Sequence, residues 1–181
     1  MRSVIDDAKR VDVAVYAAIA ATPTPSLDLA MGRLSRAADY SRLSLASAAL
    51  LALGGGRAGR QAATMGLASV GVAATAINVV IKPLGMRRRP DREAAEVPFA
   101  RHVPMPASSS FPSGHSAAAL AFATGVGYTL PQAAAPLRAL AALVAYSRVH
   151  TGVHYPGDVV AGSLLGSALA QVTTRMLTAR R

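Results

Sequence analysis

Cysteine is absent from the chain, so it holds neither a disulfide framework nor a thiolate metal site. Tryptophan is absent too, and aromatic residues make up only 4 %. That leaves little to stack bases on, and the arginines are scattered between apolar runs, so no nucleic-acid partner is expected. Acidic residues are few: nine Asp and Glu stand against 19 Lys and Arg, for a net charge of +10. Such a balance points to anionic partners such as lipid headgroups or phosphorylated substrates. No cleavable leader is expected, because Asp6, Asp7, Lys9, Arg10 and Asp12 interrupt the N-terminus early.

What the chain has in excess is small apolar residues. Hydrophobic residues reach 52 %, above the roughly 45–50 % usual in soluble domains. Small side chains let helix backbones approach closely, as in membrane bundles. An Ala-rich soluble bundle is the plain alternative. The apolar runs are 43–56, 61–81, 116–130, 136–147 and 159–177. Run 61–81 has 21 residues and no charge, enough to cross a bilayer at about 1.5 Å per residue.

Residues 4–21 read as an amphipathic helix, with Val4, Ile5, Ala8, Val11, Val15 and Ile19 opposite Asp6, Asp7, Lys9 and Arg10. "TPTP" at 22–25 ends it, and Ser26 is placed to cap a second amphipathic stretch. Segment 82–114 is polar, Pro-rich and Arg-rich, and a loop of that length is usually functional or disordered. The expected fold is all-α: an integral membrane helical bundle of five or six spans with one long polar loop. Residues 1–40 form an amphipathic N-terminal segment and 41–181 the membrane domain.

The polar chemistry gathers in three places. In "SRVHTGVHYPGD" (147–158), His150, His154 and Asp158 are spaced to share one helix face and ligate a metal. Pro156 and Gly157 fall between the last two, so the helix should end near Tyr155 and that geometry is lost. Alternatively, Asp158 folds back under one histidine, fixes its tautomer and makes it a nucleophile. Spacing does not choose between His150 and His154. In "FPSGHS" (111–116) the amides of Ser113, Gly114 and His115 are expected free at a helix start, a natural anion site. His115 would stand beside that anion as a proton donor. In "KPLGMRRRP" (82–90), Lys82 follows directly on an apolar run and Arg89 precedes a proline, and both need anionic partners. Arg87, Arg88 and Arg92 read as loop charges beside a span, or as arms reaching a second phosphate.

Taken together, the segments resemble a three-part signature. Lys82 is followed after six residues by Arg89-Pro90, then by Pro112-Ser113-Gly114-His115. Ser147-Arg148 comes next, with His154 after five residues and Asp158 after three more. This resembles the type-2 phosphatidic acid phosphatases, or lipid phosphate phosphatases, which share a superfamily with bacterial acid phosphatases and vanadium-dependent haloperoxidases.

The resemblance implies that Lys82, Arg89 and Arg148 hold phosphate oxygens, with hydrogen bonds from Ser113 and the Gly114 amide. It makes His154 the nucleophile, Asp158 its orienting carboxylate and His115 the general acid. No metal or other cofactor is implied, since the cations take that place. The substrate would be a lipid phosphate, of phosphatidic acid type or a polyprenyl phosphate or diphosphate, met at the bilayer surface. A phosphotransferase using the same intermediate, a vanadate-dependent haloperoxidase and a non-catalytic anionic-lipid binder are the other readings. Arg57, Arg60, Arg138, Arg175, Arg180 and Arg181 would lie on the face opposite the site. The positive-inside tendency then turns the active site outward from a bacterial plasma membrane. Oligomeric state is left open.

Overall fold

The computed structural model describes residues 2–179, and among these there is no strand. Helix α1 (Arg2–Ala21) and α2 (Pro25–Ala37) are joined at "TPTP", and a 3-10 turn, Asp39–Ser41, leads to α3 (Arg42–Gly54). Helix α4 (Gly56–Thr75) runs through a π-helical stretch, Ala76–Ile81, into the short α5 (Lys82–Leu84). An irregular segment with one 3-10 turn, Phe99–Arg101, follows. Helices α6 (Gly114–Thr129), α7 (Ala134–His150) and α8 (Pro156–Ala179) complete the chain.

Helix α6 is the axle. It packs on α4, α7 and α8. Glycines make these contacts close: a Cβ at Gly66 would meet the Val126 and Phe122 side chains at 2.7 and 2.8 Å, and one at Gly125 would meet the Met65 carbonyl at 2.8 Å. Gly162 and Gly166 of α8 lie against the Ser113 and Ala117 carbonyls of α6, with no room for a methyl group. This is small-xxx-small packing, and it runs α6 and α8 parallel. The buried side chains are correspondingly small, among them Ala62, Ala63, Ala73, Ala117, Ala121, Ala123 and Ala170.

The large aliphatic side chains point the other way. Leu45, Leu50, Leu53, Val72, Val79, Val80, Leu143, Val160, Leu164, Val172 and Met176 are all exposed. In water that arrangement wastes roughly 25 cal/mol for every Å² of apolar surface left uncovered. One helix among the described residues, Gly56–Leu84, is long and apolar enough to cross a membrane. Helices α3, α6 and α7, at 13, 16 and 17 residues, are shorter than the ~20 residues of a full span. The all-helical bundle therefore stands, while length and composition single out one span rather than five or six.

The reversal between α3 and α4 is made by Gly55 and Gly56, the latter at φ 59. One local expectation fails. The second helix starts at Pro25, not after Ser26; Pro fits the first helical position because its missing N–H has no partner there. Thr24 precedes it and donates its hydroxyl to Asp28 at 2.8 Å.

The topology gathers the C-terminal ends of α5 and α7 and the N-terminal ends of α6 and α8 at one pole, under segment 85–113. Arg57, Arg60, Arg138 and Arg175 sit at the opposite helix ends. Arg180 and Arg181 lie outside the described residues.

Candidate active site

The break between α7 and α8 builds the centre of the site. Helix α7 ends at His150, one turn before the expected Tyr155. Gly152 takes φ 69, and a Cβ there would meet Arg92 and Tyr16 at 3.0 Å, so glycine is required twice over. The amides of Val153 and His154 both donate to the Arg148 carbonyl, which closes the turn. Pro156 opens α8 and places Asp158 in its first turn.

His150 and His154 consequently part. His150 Nε2 meets Asp28 Oδ1 at 2.8 Å, outside the site. His154 Nδ1 lies 3.5 Å from Asp158 Oδ2. The three residues do not converge, and no metal-binding cluster of His, Asp or Glu occurs among the described residues. Asp158 is fully buried and firmly held. Its Oδ2 accepts from Ser110 Oγ and from the Tyr155 amide, and its Oδ1 from Arg87 at 2.8 Å. A carboxylate so anchored favours the His154 tautomer with the proton on Nδ1 and a lone pair on Nε2. Burial, reinforced by the nearby Arg89 and Arg148 charges, lowers the His154 imidazole to about 4 despite the hydrogen bond with Asp158. This setting favours the neutral ring.

His154 lines a cavity of about 270 Å³ together with Lys82, Arg89, Gly114 and His115. Arg89 Nη1 stands 3.2 Å from His154 Nε2 and also donates to the Val153 carbonyl. Its other nitrogens reach Ser108 and Ser109. Lys82 Nζ is 3.4 Å from Ser108 Oγ. A Cβ on Gly114 would lie 3.8 Å from Lys82 Nζ, so the start of α6 and the lysine face each other.

Two expected phosphate ligands stand one layer back. Arg148 is buried; Ser35 Oγ accepts from its Nη1 at 2.6 Å, and its Nε–H has no partner. A buried, unpaired guanidinium N–H is costly unless an acceptor completes it. Ser113 is fully buried and caps α6, accepting from the amide and hydroxyl of Ser116. Its own amide is not free but donates to the Asp158 carbonyl at 2.9 Å, so the open amides at this helix start are those of Gly114 and His115.

The other arginines are structural. Arg87 bridges Asp158 and Asp12, at 2.6 Å from the latter, and stacks over the Tyr155 ring at 4.2 Å. Arg92 donates to the carbonyls of Val103 and Gly152. Neither is free to reach a second phosphate; Arg88 alone of the three is exposed.

Sequence reasoning missed Ser110, Asp12 and Asp39. Asp39 Oδ1 is 2.9 Å from His115 Nε2 and 3.7 Å from Arg148 Nη1. It comes from the N-terminal segment that the three-part signature does not cover. Nothing local marks Asp39, since a lone Asp after an amphipathic helix reads as a solvent-facing charge.

A family model of the PAP2 superfamily matches residues 63–181, most of the chain. The chain belongs to that superfamily. It is 41 % identical over 103 residues to a decaprenylphosphoryl-5-phosphoribose phosphatase of Mycobacterium tuberculosis, covering 55 % of this chain and 52 % of the relative. It is 40 % identical over 74 residues to an undecaprenyl-diphosphatase of Sulfolobus acidocaldarius, covering 40 % and 36 %. The aligned part thus spans about half or less of the length of these curated relatives. The crystal structure of a transmembrane PAP2 type phosphatidylglycerolphosphate phosphatase from Bacillus subtilis superposes with a TM-score of 0.75 at 26 % identity, over 97 % of this chain and 88 % of that one.

Proposed function

We propose that the protein is an integral membrane phosphatase that hydrolyses a lipid-linked phosphate through a phosphohistidine on His154. The observation that carries this reading is the setting of His154. A buried carboxylate addresses Nδ1, Arg89 stands beside Nε2, and the residue lines a cavity with cations and a second histidine on its walls. Relatives named for polyprenyl-linked phosphates and for a phospholipid phosphate support a lipid substrate. The outward-facing aliphatic side chains support a bilayer around the bundle. In that setting the short helices need not each span, and the polar pole lies at the headgroup level.

The geometry supports the following reaction. Phosphate oxygens settle among Lys82, Arg89, the Arg148 Nε–H and the amides at the start of α6. The lone pair of His154 Nε2 attacks phosphorus, and the bond from phosphorus to the ester oxygen breaks with its electrons on oxygen. His115 gives that oxygen a proton. Water then attacks the phosphohistidine, His115 takes the water proton, and inorganic phosphate leaves. The transition-state charge sits on oxygens already facing fixed cations and dipoles, which requires no reorganisation at the moment of reaction. Outward orientation of the site is part of the proposal and rests on the arginines at the opposite helix ends.

The test is phosphate release by detergent-purified protein, with EDTA present, from phosphatidic acid, phosphatidylglycerophosphate, a polyprenyl monophosphate and a polyprenyl diphosphate. Release that survives EDTA and disappears in His154→Ala is expected. Release unchanged in the variant would remove His154 from the chemistry.

A further inference from the structure

His115 is the second histidine of the cavity, and its surroundings are more unusual than its position. It faces Arg148 from α7, His154 from the following turn, and Lys82 and Arg89 across the cavity. All these neighbours are cationic or neutral. Alone, they would strip a buried imidazole of its proton, because like charge and desolvation both disfavour the charged ring. A general acid must begin protonated. The one carboxylate in contact with His115 among the described residues is Asp39, at 2.9 Å from Nε2.

Asp39 is placed there at a conformational cost. It opens the 3-10 turn between α2 and α3, and the next two residues, Tyr40 and Ser41, take φ 56 and 57. Residues other than glycine rarely enter that region, and such conformations collect at functional sites where the surroundings enforce them. Tyr40 and Ser41 also line the cavity, so the turn is part of the site wall. With Nε2 committed to Asp39, Nδ1 is the His115 nitrogen that has no partner among the described residues.

We propose that Asp39 is the positioning residue of the general acid. Its carboxylate accepts from His115 Nε2–H and fixes the ring; Asp39 and the bound phosphate dianion together bring the ring to imidazolium, and its Nδ1–H protonates the departing oxygen. As the phosphorus–oxygen bond breaks, its electron pair stays on oxygen and takes the Nδ1 proton. His115 becomes neutral with Nε2–H still on Asp39, and Nδ1 then accepts the proton of the attacking water. The site thus contains two His–Asp pairs: Asp158 orients the nucleophile and Asp39 the acid. Asp39 belongs to the N-terminal segment outside residues 63–181, the part of the chain that the family model matches. The inference rests on the phosphatase reading above.

The test uses leaving-group dependence in the full-length protein. Dodecyl phosphate leaves as an alkoxide and needs a proton; 4-nitrophenyl phosphate leaves as a stabilised phenolate and hardly does. In Asp39→Asn, kcat/KM for dodecyl phosphate, which reports only the steps up to release of the alcohol and not the shared water step, should fall by about 10²-fold or more, the scale of general acid catalysis. For 4-nitrophenyl phosphate it should fall less than about fivefold. The alkaline limb of the dodecyl phosphate pH profile should also move to lower pH, and Asp39→Glu should recover much of the loss. The ratio between substrates is read within one preparation, so partial misfolding cancels. Equal losses on both substrates, or no loss on either, overturn the role of Asp39 and leave the phosphatase reading intact. Wild-type protein that turns over neither substrate overturns that reading, and this one with it.

Discussion

His154 and Asp158 lie on opposite sides of a helix break, yet His154 Nδ1 comes within 3.5 Å of Asp158 Oδ2. The carboxylate is held from three other directions, by Ser110, the Tyr155 amide and Arg87. Removing it frees the histidine to adopt the wrong tautomer. Asp158→Asn should lower kcat by about 10²–10⁴-fold, the range of a lost acid–base function. Ser110→Ala removes one hydrogen bond to a charged group and should cost about tenfold. Both are read from steady-state phosphate release; an Asp158→Asn enzyme of wild-type rate would contradict the pairing.

Acidification should weaken the fold through His154. Its folded value of about 4 lies below the ordinary 6.5. Between the two, the unfolded chain binds a proton that the folded protein excludes. Stability is therefore complete above about pH 6.5 and falls as pH drops toward 4, by up to ~1.4 kcal/mol per pH unit from this site. Unfolding in detergent, followed against pH, checks the slope, and His154→Asn should flatten it.

Arg101 anchors the N-terminal helices. It is fully buried, donates to Asp28 at 2.8 Å and to the carbonyls of Ile19, Ala20 and Thr22, and reaches Thr24 Oγ1. Arg101→Ala leaves the buried Asp28 only Thr24 and His150 as partners and should destabilise by about 3–5 kcal/mol. A melting point within a degree of wild type would show that the network is not needed.

Close helix packing gives a paired test. Gly166 of α8 abuts the Ala117 carbonyl, whereas Gly71 of α4 faces open space. Gly166→Ala should cost about 1–3 kcal/mol by overpacking. Gly71→Ala should be neutral or stabilise by about 0.4–1 kcal/mol, because alanine restricts the unfolded chain. Similar effects at both sites would mean that α6 and α8 are not locked at this point.

Much of the site was legible in the sequence because its key residues occur in three tight spacings. Lys82, Arg89, Gly114, His115 and His154 do meet at one cavity, with Asp158 directly behind His154. The supports were hidden for a physical reason. Asp39 and His115 are 76 residues apart, Arg87 and Asp12 75, Arg101 and Asp28 73. No periodicity encodes such pairs; each depends on how the N-terminal helices dock on the bundle. The break after α7 was foreseen but misplaced, because Gly152, not Pro156, ends the helix. The count of membrane spans was read from apolar runs. Those runs became helices of unequal length, and only Gly56–Leu84 passes as a full span among the described residues.

The most direct measurement is to trap the covalent enzyme. In His115→Ala, 4-nitrophenyl phosphate still offers a good leaving group, but the water step lacks its base. Alkaline quenching followed by mass spectrometry of the peptide containing 147–158 should find one phosphoryl group on His154, and none in the double variant that also carries His154→Ala. Nitrophenol release with no phosphoryl group on His154, or with the group on another residue, would contradict the account at its centre.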